Sequence, residues 1–151
     1  MRFVSRRYAL ALAARLTLFA LTCRVNQARA TPTDAATEIA RFADAVTPEP
    51  GKISIDLPEI AENGNSVPLA IDIDHPMTDE NYVTEVLVLA EANPWPRVAT
   101  FHFTPISARA SAATRIRLAG TQTVRVVAKT SDGRVLIEQR EVKVTIGGCG
   151  G

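Results

Sequence analysis

The chain has 151 residues, 17 Lys plus Arg against 16 Asp plus Glu, a net charge of +1, two cysteines and 5% aromatic residues. That length gives one ordinary domain, large enough to bury a core without disulfide staples. The balanced charge hides an asymmetry: residues 1–30 hold six of the 17 basic groups and no acidic one. The remaining 121 residues (151 minus 30) carry 11 basic and 16 acidic groups, net −5, which removes the electrostatic basis for binding nucleic acid.

Residues 1–30 read as an export signal. A basic start (Arg2, Arg6, Arg7) leads into an apolar run from Ala9 to Leu21, and Ala28-Arg29-Ala30 offers small residues at the two positions a signal peptidase reads, so cleavage is predicted after Ala30. The run is shorter than the roughly 20 residues of a membrane span and is interrupted by Arg15, so no membrane anchor is expected. Ser5-Arg6-Arg7 followed by Leu10 resembles the twin-arginine motif, although Ala9 stands where that motif usually has Phe. Cys23 leaves with this segment, and Leu21-Thr22 ahead of it lacks the small residue that lipid attachment prefers.

A helical segment is expected over residues 31–50. From Asp34 to Val46 the apolar residues Ile39, Phe42, Ala43 and Val46 recur at helical spacing, with Thr33 or Asp34 as cap and Pro48 as terminator. From Gly51 the period changes to two. Ile53, Ile55 and Leu57, then Val67, Leu69, Ile71 and Ile73, alternate with small or polar residues, the pattern of half-buried strands. Val83–Leu89 is apolar on both phases after Glu85, which predicts a central strand covered on both faces. Further strands are expected at Val98–Phe103, Thr114–Leu118, Val124–Ala128 and Val135–Ile146. In the last of these the apolar phase moves from odd positions (Val135, Ile137) to even ones (Val142, Val144, Ile146), which predicts a bulge near Glu138–Glu141.

Asn63-Gly64 and Asp132-Gly133 are each expected to close a hairpin, and Pro94-Trp95-Pro96 and Thr104-Pro105 to lie in loops. The fold class is therefore all-β: an immunoglobulin-like sandwich of about seven strands over residues 51–146, with a short N-terminal helix and a glycine-rich C-terminal arm at 147–151.

That arm, Gly147-Gly148-Cys149-Gly150-Gly151, carries the chemistry. Glycine on both sides of Cys149 leaves no side chain to pack or to restrict φ and ψ, so a flexible arm is expected, able to carry the sulfur about 10 Å beyond the sheet and into a narrow cleft of another protein. Cys149 has no second cysteine in the exported part, so it is a reactive thiol or the seat of an intermolecular bond. The carboxylate two residues on favours the protonated thiol, so activation must come from a partner's site.

Other constellations carry less. His75 and His102 are the only histidines and lack further ligands at metal-binding spacing. His102 should point to the face opposite Phe101 and Phe103, and Asp72, Asp74 and Asp79 read as a solvated acidic face. No metal site, no cofactor site and no catalytic residue is expected. Exposed edge strands and Trp95 are the candidates for subunit contact.

Three stretches together resemble the SoxY family: Glu59-Ile60-Ala61-Glu62-Asn63-Gly64 with Val67-Pro68, the run from Asn93 to Pro105, and above all the terminal Gly147-Gly148-Cys149-Gly150-Gly151. The resemblance implies a periplasmic, non-enzymatic sulfur carrier in thiosulfate oxidation, with Cys149 holding the sulfur covalently. It also implies a heterodimer with a SoxZ-like β subunit, and visits to a SoxAX cytochrome, a SoxB manganese hydrolase and a SoxCD sulfur dehydrogenase. Two other readings remain open at this stage. A ubiquitin-like carrier would instead activate Gly150-Gly151 as a thiocarboxylate, and an exported structural sandwich would dimerise through Cys149.

Overall fold

The computed structural model describes residues 32–147, with side chains from Asp34 onward. It is an all-β sandwich with one helix laid on its outer face. The helix α1 (Pro32–Phe42) precedes nine strands: β1 (Glu49–Pro50), β2 (Ile53–Asp56), β3 (Ile60–Asn63), β4 (Val67–Ile73), β5 (Val83–Ala90), β6 (Arg97–His102), β7 (Ala110–Ile116), β8 (Gln122–Thr130) and β9 (Val135–Ile146). The larger sheet runs β1-β9-β8-β5-β6, with β3 also paired to β9, and the smaller runs β2-β4-β7.

Alternation builds the core. β2 and β4 bury every second residue, placing Ile53, Ile55, Val67, Leu69, Ile71 and Ile73 between the sheets. β5 is the central strand, and Val86–Ala90 are all fully buried because both its faces are covered. Val86, Val88 and Ala90 enter the core between the sheets; Leu87 and Leu89 meet Ile39, Phe42 and Ala43 of the helical segment on the other side.

The helix is shorter than its periodicity suggested, and its start lies earlier. It begins with Pro32 in the first turn, so Thr33 and Asp34 stand inside its span. It stops at Phe42 because Asp44 and Ala45 take left-handed conformations (φ 48° and 66°), before Pro48 is reached, and Val46 is left exposed.

Two strands escape the sequence pattern. β1 is two residues long and β3 buries only Ala61; both add in parallel to the outer edge of β9, at opposite ends of it. Since β3 belongs to the larger sheet and β4 to the smaller, Asn63-Gly64 starts a crossing between sheets and not a hairpin. Asp132-Gly133 does close the β8–β9 hairpin, with Gly133 at φ 85°.

No bulge interrupts β8–β9, which pair in one register from Gln122↔Val142 to Lys129↔Val135. The change of apolar phase along β9 has another cause: odd residues Val135 and Ile137 face the helix, while even residues Leu136, Val142 and Val144 face the inter-sheet core. The register shifts fall on β5 instead, between Val83 and Glu85 against β8 and between Val88 and Leu89 against β6.

Candidate functional site

The glycine-cysteine arm leaves the sandwich at the end of β9, and that end is held from both flanks. On one side Ala61 and Asn63 of β3 pair with Val144 and Ile146, and the amide of Gly64 donates to the carbonyl of Ile146 at 2.8 Å. The Thr145 hydroxyl donates to the Glu62 carbonyl at 2.9 Å. On the other side the Val144 amide donates to Thr121 Oγ1 at 2.9 Å.

Gly147 is the last described residue, and a Cβ added to it would stand 2.3 Å from the carbonyl oxygen of Ala119. Glycine is required there by a close backbone approach, a reason separate from freedom of motion. Gly148, Cys149, Gly150 and Gly151 lie outside the described residues.

The β7–β8 connection that meets Gly147 is itself fixed by a buried polar pair. Asn93 Nδ2 donates to the Arg117 carbonyl (2.9 Å), and its Oδ1 accepts from the Ala119 amide (2.9 Å) and from Gln122 Nε2 (3.0 Å). Gln122 also donates to the Gly120 carbonyl (3.1 Å) and accepts from the Ala92 amide (2.8 Å). Two buried side chains thereby satisfy four backbone groups and each other, and lock the β5–β6 loop to the β7–β8 loop. Sequence reasoning missed both residues, since Asn before Pro-Trp-Pro reads as an ordinary loop residue; the only available signal was a Gln opening an otherwise apolar strand.

Beside this lock, between the edges of β6 and β7, lies a cleft of about 280 Å³ lined by Asn93, Trp95, Arg97, Val98, Arg115 and Arg117 among others, with no carboxylate in its wall. Trp95 is 77% exposed. Arg97 pairs with Glu38 of the helix (3.0 Å), a carboxylate it shares with Arg41 (3.1 Å), whereas Arg115 donates to the hydroxyl and carbonyl of Ser66 (2.6 and 2.9 Å) and has no ion pair among the described residues. Arg117 makes no ion pair among the described residues. The sequence reading did not single out these arginines; their signal was basic residues on both sides of the inward-facing Ile116.

The histidines and acids are placed as surface groups. His75 Nε2 lies 2.9 Å from Asn81 Oδ1, and His102 stands exposed on the face opposite Phe101 and Phe103, 3.9 Å from Glu85. Asp72 pairs with Arg109 and Asp74 with Lys52. The Asp132 carboxyl is held below the usual 3.8 chiefly by the Thr130 hydroxyl; burial opposes this, and the Arg134 amide and charge add to the lowering.

A family model described as sulfur oxidation protein SoxY matches residues 39–149. Among solved structures, the sulfur carrier protein SoxY from Chlorobium limicola f thiosulfatophilum is 31% identical, with a TM-score of 0.66 over 77% of this chain and 100% of that one. A superoxide reductase (neelaredoxin) from Ignicoccus hospitalis is 16% identical, with a TM-score of 0.56 over 80% of this chain and 98% of that one. A putative superoxide reductase from Thermotoga maritima is also 16% identical, with a TM-score of 0.57 over 68% and 96%. These last two likenesses concern the sandwich fold alone. No curated protein matches the chain.

Proposed function

The chain belongs to the SoxY family of sulfur oxidation proteins, which gives it a sulfur-carrier role in the Sox system, and from that premise we propose that Cys149 is the covalent point of attachment. The observation that carries this reading is the extent of the family match, which runs through the sandwich and out along the arm to end at residue 149. The anchoring of β9 supports it. A carrier needs a rigid body up to the root of the arm and free glycines beyond, and the hydrogen bonds to Ile146, Thr145 and Val144 supply that body.

The proposed cycle starts when the Cys149 thiolate and thiosulfate lose two electrons to a SoxAX-type cytochrome and join through a new S–S bond, leaving an adduct in which Cys149 Sγ carries –S–SO3⁻. Water, delivered by a SoxB-type hydrolase, then displaces the terminal sulfone as sulfate with release of two protons, leaving a persulfide on Cys149. A SoxCD-type dehydrogenase oxidises that sulfane. The protein contributes no acid, base or oxyanion donor to these steps; it presents the sulfur, bound to a SoxZ-like partner, in the periplasm after twin-arginine export.

Mass spectrometry of the protein isolated from cells supplied with thiosulfate tests this. Sulfur, sulfite or thiosulfate adducts confined to the peptide containing Cys149 are expected, and Cys149→Ser should abolish thiosulfate-dependent electron flow while the sandwich stays folded. A clean disulfide dimer indifferent to thiosulfate, or activity retained in Cys149→Ser, would overturn it.

A further inference from the structure

We propose that Asn63-Gly64 is a self-modification site. The amide nitrogen of Gly64 cyclises onto the Asn63 side chain and turns it into aspartate or isoaspartate, and the pairing of β3 with the end of β9 holds this reaction in check. The inference is independent of the carrier reading above.

The chemistry needs only these two residues and water. The Gly64 nitrogen gives its proton to hydroxide and bonds to Cγ of Asn63. The Cγ–Nδ2 bond breaks, the departing nitrogen takes a proton from water, and ammonia leaves a cyclic imide in the chain. A second water then opens the ring at either carbonyl, giving aspartate or isoaspartate, the latter with an extra methylene in the main chain. No electrons are transferred, and glycine brings no side chain to shield the attacking nitrogen.

The structure poises the electrophile and guards the nucleophile. The Asn65 amide donates to Asn63 Oδ1 at 2.9 Å. Negative charge develops on that oxygen as Cγ is attacked, so the donor stabilises the transition state in the manner of an oxyanion hole. Gly64, by contrast, is buried and clamped on both sides. Its amide donates to the Ile146 carbonyl at 2.8 Å, and its carbonyl accepts from the amide of Leu118, also at 2.8 Å. Deprotonation there would set a developing negative charge against the Ile146 oxygen, and the two clamps keep the planar peptide from turning towards Cγ.

The guard is a weak part of the sandwich. β3 has four residues and buries only Ala61. Besides backbone pairing, the Thr145 hydroxyl ties it to β9 by donating to the Glu62 carbonyl at 2.9 Å. Opening this edge exposes far less apolar surface than global unfolding, so conversion follows the open fraction of the edge. Isoaspartate would lengthen the β3–β4 link, so that Gly64 no longer bridges Ile146 and Leu118 and the root of the arm stays loosened.

Purified protein held in mildly alkaline buffer is followed by mass spectrometry of the peptide containing Asn63 and by isoaspartate-specific methylation. Conversion should be slower than in the urea-unfolded chain by about tenfold or more. Thr145→Val, which removes the hydroxyl tie, should speed it about fivefold. Phe42→Leu, which weakens the core away from this edge, should leave the rate unchanged although urea unfolding shows the whole molecule destabilised. Adding Asn65→Pro to Thr145→Val deletes the donor to Oδ1 and should slow conversion about threefold.

Conversion in the folded parent as fast as in urea, or equal acceleration by Thr145→Val and Phe42→Leu, would overturn the guard. No conversion in folded Thr145→Val would overturn the site itself, and an unchanged rate on adding Asn65→Pro would overturn the role of the Asn65 amide.

Discussion

Gly147 and Gly148 are neighbours in sequence with different physical duties. At Gly147 a Cβ would collide with the Ala119 carbonyl at 2.3 Å, and backbone on both sides is held by hydrogen bonds and cannot easily yield. Gly147→Ala should therefore lower stability by about 1–3 kcal/mol, measured by urea unfolding. Gly148→Val should leave stability within about 0.5 kcal/mol. Its effect should fall on partners: turnover by Sox enzymes declines more than alkylation of Cys149 by a small reagent, and equal loss of both would sink the idea that the arm must enter a narrow cleft. In the sequence all four glycines of the tail look alike, because the oxygen that distinguishes the first of them belongs to a loop 28 residues away. Asn93 and Gln122 were illegible for the same reason. Their five hydrogen bonds join the β5–β6 loop to the β7–β8 loop, two segments that only the fold brings together.

At the scale of elements, the β8–β9 hairpin shows local signals succeeding where geometry is local. Asp132-Gly133 supplies the left-handed residue the turn requires, and the Asp132 carboxylate receives hydrogen bonds from the Thr130 hydroxyl and the Arg134 amide. Because these bonds favour the charged form, its pKa in the folded chain lies below the ordinary 3.8. Its contribution to stability is complete above 3.8 and disappears as pH falls through the lowered folded value. Asp132→Asn should be less stable than the parent in urea unfolding at neutral pH, and the difference should close in acid; a gap independent of pH would refute this account. β9 itself shows the opposite case. Its phase change suggested a bulge, since a strand with one buried face can only change phase by breaking register. The strand is instead regular, and what changes along it is the cover, helix on one face and the second sheet on the other.

For the whole molecule, α1 is the piece that turns a two-layer sandwich into three layers. Phe42 is 6% exposed, packs with Leu87, Leu89 and Val127 on the outer face of the larger sheet, and has the Lys129 ammonium 5.0 Å from its ring centroid. Phe42→Ala should cost about 3–5 kcal/mol in a single urea transition, because β5 carries both clusters and transmits the loss; a separate early transition for the helix would show the layers to be independent. If export follows the twin-arginine route, which accepts folded protein, the same variant should also accumulate less outside the cytoplasm. The sequence by itself determined the class of fold, the central strand, the helix and its buried stripe, and Cys149 between its glycines, since each is written in periodicity or composition over a few adjacent residues. Tertiary structure alone decided that Asn63-Gly64 crosses between sheets, that β3 and β9 pair in parallel at the root of the arm, and that Arg115 and Arg117 share a cleft with Trp95. Those facts depend on which distant segments become neighbours, and the free energy that selects them comes from burying the whole core at once.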